Sequence, residues 1–99
     1  MRERSADPTI SVSCRQLDAA GWSCDVVVAD DRSQTSHVVT VSRAELTRYA
    51  DSSTDVEAFV ADAFRFLLER EPKESILRRF AIGDIDRYFP EFGDRPRAS

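Results

Sequence analysis

The stretch FLLEREPKESILRRFAIGDIDRYFPEF, residues 66–92, decides how this chain is built. Large apolar and aromatic side chains recur in it between charges at helical spacing, and Pro72 and Pro90 divide it. Pro72 disfavours helix at the residue before it and suits the first turn of a new helix. The pattern therefore predicts a helix over 73–80 and a short helical turn that Asp84 caps and Pro90 ends.

A main helix is predicted upstream of this stretch, from about Val56 to Arg70. Its apolar residues cover roughly 200° of the helix surface, which is wider than one sheet needs to bury. We expect the segment after Pro72 to cover the remaining arc. The side chains expected to do so are Ile76, Leu77, Phe80, Ile85, Tyr88 and Phe89.

Apolar residues alternate with polar ones from Thr9 to Ser42, which predicts three strands. The first two run through Ile10–Cys14 and Trp22–Val28, and the third spans Ser36–Val41 with His37 at the edge of its core face. Two capping boxes follow. They are formed by Ser42 with Glu45, opening a helix over 43–50, and by Thr54 with Glu57, opening the main helix.

The loop between the first two strands sets where the two cysteines lie. A three-residue loop, Ala19 to Gly21 with positive φ at Gly21, keeps both apolar sets on one face and places Asp18 opposite Trp22. Cys14 then lies diagonal to Cys24, and diagonal neighbours are usually too far apart for a disulfide. We therefore expect both to be buried free thiols.

These elements predict an α+β fold of one domain. A three-stranded antiparallel meander is followed by three or four helices that pack on one of its faces. The domain is expected over residues 9–92, with flexible tails at 1–8 and 93–99.

Residues suited to catalysis or metal binding do not assemble in this sequence. His37 is the single histidine, without the other members of a catalytic triad or a metal-chelating pair beside it. The carboxylate pairs Asp30 with Asp31 and Asp84 with Asp86 fall where aspartate is favoured in turns and caps. With 3 glycines, the chain has no phosphate-binding loop. We expect no enzyme activity, no cofactor and no metal.

Charge and hydropathy limit the partners. The formal net charge is −4 at pH 7, which disfavours broad nucleic-acid or anionic-membrane binding. No window is long and apolar enough to span a membrane, and MRERSADP lacks the apolar core of a secretory signal. We expect a cytoplasmic protein.

The run FLLEREPKESIL followed by RYFPEF resembles the C-terminal signature of a family of small uncharacterised bacterial proteins. The resemblance covers the last third of the chain and, loosely, the preceding segment VTVSRAEL. It implies a β-rich N-terminal half that leads into helices. It implies no activity and no functional residue.

The sequence favours a small non-enzymatic protein that binds another protein or itself as a homodimer. The alternative is a DNA- or RNA-associated regulator with a helix-turn-helix over residues 73–89. Acidic Asp84 and Asp86 at the start of its second helix count against this alternative, because phosphates approach there. The candidate interaction surface consists of Val27, Val38, Phe64, Phe66, Leu68, Arg78, Arg79 and Arg87.

Overall fold

A computed structural model describes residues 8–18, 20–50 and 55–94. It has the α+β fold, with a three-stranded antiparallel meander followed by helices, and a fourth strand joins the sheet in parallel. The elements are β1 (Thr9–Asp18), β2 (Gly21–Ala29), β3 (Gln34–Ser42), α1 (Arg43–Tyr49), α2 (Val56–Leu68), a 3₁₀ turn (Lys73–Ser75), β4 (Arg79–Ala81), α3 (Asp84–Tyr88) and α4 (Glu91–Asp94).

The core lies between the inner face of the sheet and α2. The sheet order is β1-β2-β3-β4, and the alternation in β2 and β3 sends every second side chain into the core, as predicted. On α2, residues at helical spacing meet this face. The fully enclosed side chains include Cys24, Val26, Val28, Val39, Phe59, Val60, Phe64 and Ile82.

The predicted register of the first hairpin is wrong, and so is the prediction of free thiols. Gln16, rather than Asp18, pairs with Trp22, because Asp18 pairs with Gly21 and a bulge between Gln16 and Asp18 shifts the register by one further residue. Cys14 and Cys24 therefore lie directly opposite each other and form a disulfide. The total shift of two residues preserves which side chains face the core while it changes their partners.

The cysteine pair is of the non-hydrogen-bonded kind. The Cys14 amide points away from β2 and donates to Oε2 of Glu57 on α2, at 2.9 Å. Its Cα lies 3.9 Å from that of Cys24, and non-hydrogen-bonded pairs are the ones in which opposite residues approach most closely. The main helix is thus tied to the outer edge of β1.

Gly21 does not have the positive φ that we predicted, and neither does any other glycine in the described ranges. It begins β2, where a Cβ would collide with the carbonyl oxygen of Val41 on β3. Glycine is required at this position by the close approach of two backbones.

One predicted helix cap is confirmed and the other is not. Ser42 and Glu45 form the capping box at the start of α1. The N-cap of α2 is Asp55, without a side-chain hydrogen bond, and Thr54 lies outside the described residues. Glu57, which was expected to close the second box, binds the edge of β1 instead.

The predicted helix over 73–80 is wrong. A single 3₁₀ turn is followed by β4, which pairs with β3 in parallel, Val39 beside Phe80. The Val38 amide donates to the Arg78 carbonyl at 2.7 Å, and the Ile82 amide to the Thr40 carbonyl at 2.9 Å. The free edge of β3 supplies hydrogen-bond partners for the backbone on either side of β4. A short isolated helix satisfies its backbone less well, because it leaves most of its backbone groups unpaired.

The last helices also differ from the prediction in detail. Gly83, not Asp84, is the N-cap of α3, and Asp84 Oδ2 accepts from the Ala81 amide at 3.1 Å. The chain resumes a helix after Pro90, so α4 includes Gly93 and the backbone of Asp94, which we had assigned to a tail. Residues 1–7 and 95–99 of the predicted tails lie outside the described ranges.

No helix in the described ranges is long and apolar enough to cross a membrane. The disulfide is a feature typical of oxidising compartments, so it does not support the predicted cytoplasmic location. That location stays a prediction.

Candidate functional site

An opening lined mainly by apolar side chains lies at the C-terminal end of α2, and we call it the C-terminal groove. Its volume is about 330 Å³. The end of α2, the 3₁₀ turn, β4 and α3 enclose it. Its floor consists of the buried side chains Leu67, Ile76, Phe80 and Ile85, and its rim of Glu71, Leu77, Asp84 and Tyr88.

Two large apolar side chains stand exposed on the rim of this groove. Leu77 is 51% exposed and Tyr88 67%. In the described part of the chain, Leu17 on β1 is the remaining exposed large hydrophobic residue. The exposed large hydrophobic residues are therefore concentrated around one recess, an arrangement that marks binding surfaces.

Both charged residues of the rim, Glu71 and Asp84, are acidic, and a basic group lies next to one of them. Glu71 is half-buried beside the apolar floor. Asp84 Oδ1 lies 3.8 Å from Nη1 of Arg87, whose side chain is 80% exposed. A molecule that makes apolar contacts in the groove can therefore also make polar contacts with acidic and basic groups next to it.

A buried lysine fixes the wall of the groove. The Lys73 side chain is 6% exposed, and its Nζ donates to Asp30 Oδ2 at 2.7 Å and to Glu74 Oε2 at 2.8 Å. The 3₁₀ turn is thereby joined to the turn between β2 and β3. Asp30 Oδ1 accepts from the Arg32 and Ser33 amides.

These contacts shift the ionisation of the three groups. The hydrogen bond from Lys73, followed by those from the Arg32 and Ser33 amides, lowers the pKa of Asp30 from 3.8 to about 2. The same bond raises the pKa of Lys73, and Lys73 lowers the pKa of Glu74. The cluster is therefore held in its charged form through neutral pH.

Acid titration tests this cluster. Because the folded pKa of Asp30 lies below its ordinary value, its contribution to stability is full above pH 3.8 and is lost as the pH falls towards about 2. Asp30→Asn should therefore lower the free energy of unfolding at neutral pH, and the difference from the parent chain should shrink over that window. Urea unfolding at several pH values measures it.

The control for that titration is Asp31→Asn, which removes the same charge from the exposed neighbouring residue. Its difference from the parent chain should stay small at every pH in the window. Equal behaviour of the two variants contradicts the role given to Asp30.

His37 holds the backbone of the groove at Leu77. The side chain is 2% exposed, and its Nδ1 lies 2.8 Å from the Leu77 carbonyl oxygen. A carbonyl oxygen only accepts, so Nδ1 donates, and in the neutral ring Nε2 accepts from the Thr35 hydroxyl at 2.8 Å. Each ring nitrogen of His37 therefore has a hydrogen-bond partner within the domain.

The predicted interaction surface is not one surface. Phe64 is fully enclosed and Phe66 is 5% exposed, so neither is available to a partner. Phe66 is covered within the chain by Phe89 and Phe92, with ring centroids 6.2 and 5.2 Å away. The part of the α2 surface around Phe66 is therefore covered by the segment after Pro72 of the same chain.

The remaining members of that surface are divided between two regions. Val27 and Val38 are half-buried on the outer face of the sheet, where Val38 lies beside exposed Arg79. Leu68 is half-buried on α2, in a depression next to Ile10 of β1. The other two members, Arg78 and Arg87, are exposed.

Sequence reasoning missed Leu77 and Tyr88 as surface residues. Leu77 was assigned to the core because helical spacing aligned it with Ile76 and Phe80, and Tyr88 because it was placed on the final short turn with Ile85 and Phe89. In the extended chain that enters β4, Leu77 and Phe80 no longer share a face. Only the assignment of Arg79–Ala81 as a strand could have shown that Leu77 is exposed.

The described residues contain no group of three or more histidine, cysteine or acidic residues placed to hold a metal. The paired carboxylates serve the structure. Asp30 binds Lys73, and Asp86 accepts from the Tyr49 hydroxyl at 3.3 Å.

Comparison of the chain with protein-family models, curated proteins and solved structures found no match. The resemblance of residues 66–92 to a bacterial family stays a prediction.

Proposed function

We propose that this chain is a non-enzymatic protein-binding domain that acts through the C-terminal groove. The observation that carries the proposal is the exposure of Leu77 and Tyr88 above an apolar recess. At about 330 Å³ and open to solvent, the groove is at the lower end of the range for small-molecule pockets. It suits one or two apolar side chains of a protein partner.

The backbone around the groove is held before any partner arrives. His37 binds the Leu77 carbonyl, and Lys73 joins the 3₁₀ turn to the turn after β2. A site that is already ordered loses less conformational entropy on binding. The buried polar groups of the domain therefore support binding by positioning its rim.

The nucleic-acid alternative has less support. Arg78, Arg79 and Arg87 are exposed, but residues 73–80 do not form the first helix that a helix-turn-helix needs. The following helix, α3, has 5 residues and acidic residues in its first turn. Phosphate contacts at that end are disfavoured.

Selection from a displayed library of random peptides tests the proposed function. Peptides that bind the parent chain should carry apolar residues, and Leu77→Arg should weaken their binding at least about tenfold, as expected for a central contact. Leu17→Arg is the matched control, because it places the same charge on an exposed leucine of β1. Binding should be unchanged in the control.

Either of two results overturns the proposal. One is the absence of any enriched peptide. The other is enrichment of peptides that bind the parent chain and the Leu77→Arg variant equally well.

A further inference from the structure

We infer that the C-terminal groove is the interface of a homodimer, with a second copy of this chain as its occupant. The inference rests on the proposed function, since it names the partner of the same site. It is carried by the exposed apolar side chains and the charges at the groove, and by the unsuitability of two other surfaces, the edge of β1 and the outer face of the sheet.

The groove is complementary to itself in shape. In a two-fold pair the same patch meets itself. Side chains that protrude from the patch of one copy must therefore fit a recess in the same patch of the other copy. Leu77 and Tyr88 protrude next to the recess above Phe80 and Ile85. A two-fold axis at the rim lets Leu77 and Tyr88 of each copy enter the groove of the other copy. Both residues are then buried in each of the two chains.

The groove has acidic groups on its rim and basic groups beside it. Two chains of net charge −4 repel each other unless basic groups lie at their contact. Glu71 and Asp84 lie on the rim, Arg87 is on the same helix as Asp84, and exposed Arg78 follows Leu77. A patch with both signs can pair acid with base across the axis in each direction.

The edge of β1 is a poor alternative interface. It is 10 residues long, but the Cys14 amide at its middle already donates to Glu57. A strand from a second copy loses this hydrogen bond and meets the Glu57 carboxylate. Natural sheets protect their edges in this way.

The outer face of the sheet is also a poor alternative. Its two valines are half-buried, and each lies beside polar neighbours, Val27 opposite Ser11 and Ser36, and Val38 opposite Asp25. The face therefore has no continuous apolar patch of the kind that forms the centre of a dimer interface.

Sedimentation equilibrium from micromolar to millimolar concentration tests the inference. The parent chain should move from its mass of 11.2 kDa towards twice that mass. Leu77→Arg and Tyr88→Arg should each raise the dimer dissociation constant at least about tenfold, while Leu17→Arg leaves it unchanged. Circular dichroism confirms that each variant is folded.

The outcomes separate this inference from the proposed function. A parent chain that stays at 11.2 kDa throughout overturns the homodimer. Selected peptides that still require Leu77 then leave the groove as a site for a different protein. A dimer that persists equally in both rim variants also overturns the inference, because its interface lies elsewhere. If the parent chain stays monomeric and no selected peptide requires Leu77, both proposals are overturned.

Discussion

Phe64→Ala is expected to lower the free energy of unfolding by about 3 to 5 kcal/mol, the range for deleting a buried aromatic side chain. Phe64 is fully enclosed on α2. Its ring centroid lies 5.3 Å from that of His37 on β3 and 6.0 Å from that of Phe80 on β4. It therefore joins the meander to the last strand. Because small domains have about 5 to 15 kcal/mol of stability, this variant should be close to unfolding.

Urea unfolding followed by circular dichroism measures the effect. Leu17→Ala is the control, since it truncates an apolar side chain at an exposed position outside the groove. Its effect on stability should stay within about 0.5 kcal/mol. Equal losses in the two variants contradict the packing described for Phe64.

Reduction of the disulfide should lower the free energy of unfolding by about 2 to 3 kcal/mol. Cys14 and Cys24 are 10 residues apart, and closing a loop of that size removes conformational entropy from the unfolded chain. Unfolding in the presence and absence of dithiothreitol measures the difference. The unreduced, denatured protein should show no free thiol.

The control for reduction is a double variant, Cys14→Ala with Cys24→Ala, whose stability should not respond to dithiothreitol. Two free thiols in the parent chain, or the same unfolding curve with and without reductant, contradict the disulfide. Either result would also remove the objection that the disulfide raises to a reducing compartment such as the cytoplasm.

The sequence was sufficient to predict the meander and its core face. Alternation in residues 9–42 identifies the inward side chains, and a register change of two residues leaves them on the same face of the sheet. The cysteine pairing was missed because every such change alters which residues lie opposite each other. A shorter turn and one bulge together move Cys14 from opposite Val26 to opposite Cys24, and nothing in the alternation predicts either of them.

The candidate site was the least predictable part of the fold. Three residues are too few for a periodic pattern to separate strand from helix, so Ile76 and Phe80 were consistent with both. The deciding interaction is the free edge of β3, far earlier in the chain. Since β4 determines which way Leu77 points, the groove could not be found without it.

The central claim is that Arg79–Ala81 pairs with β3, closes the core and contributes Phe80 to the C-terminal groove. Nuclear Overhauser contacts in the isotope-labelled chain test this most directly. The account predicts contacts between the backbone protons of Val39 and Phe80, and an extended pattern of sequential contacts over 79–81. Helical contacts from each residue to the third one along over 73–80, with no contact between Val39 and Phe80, would contradict it.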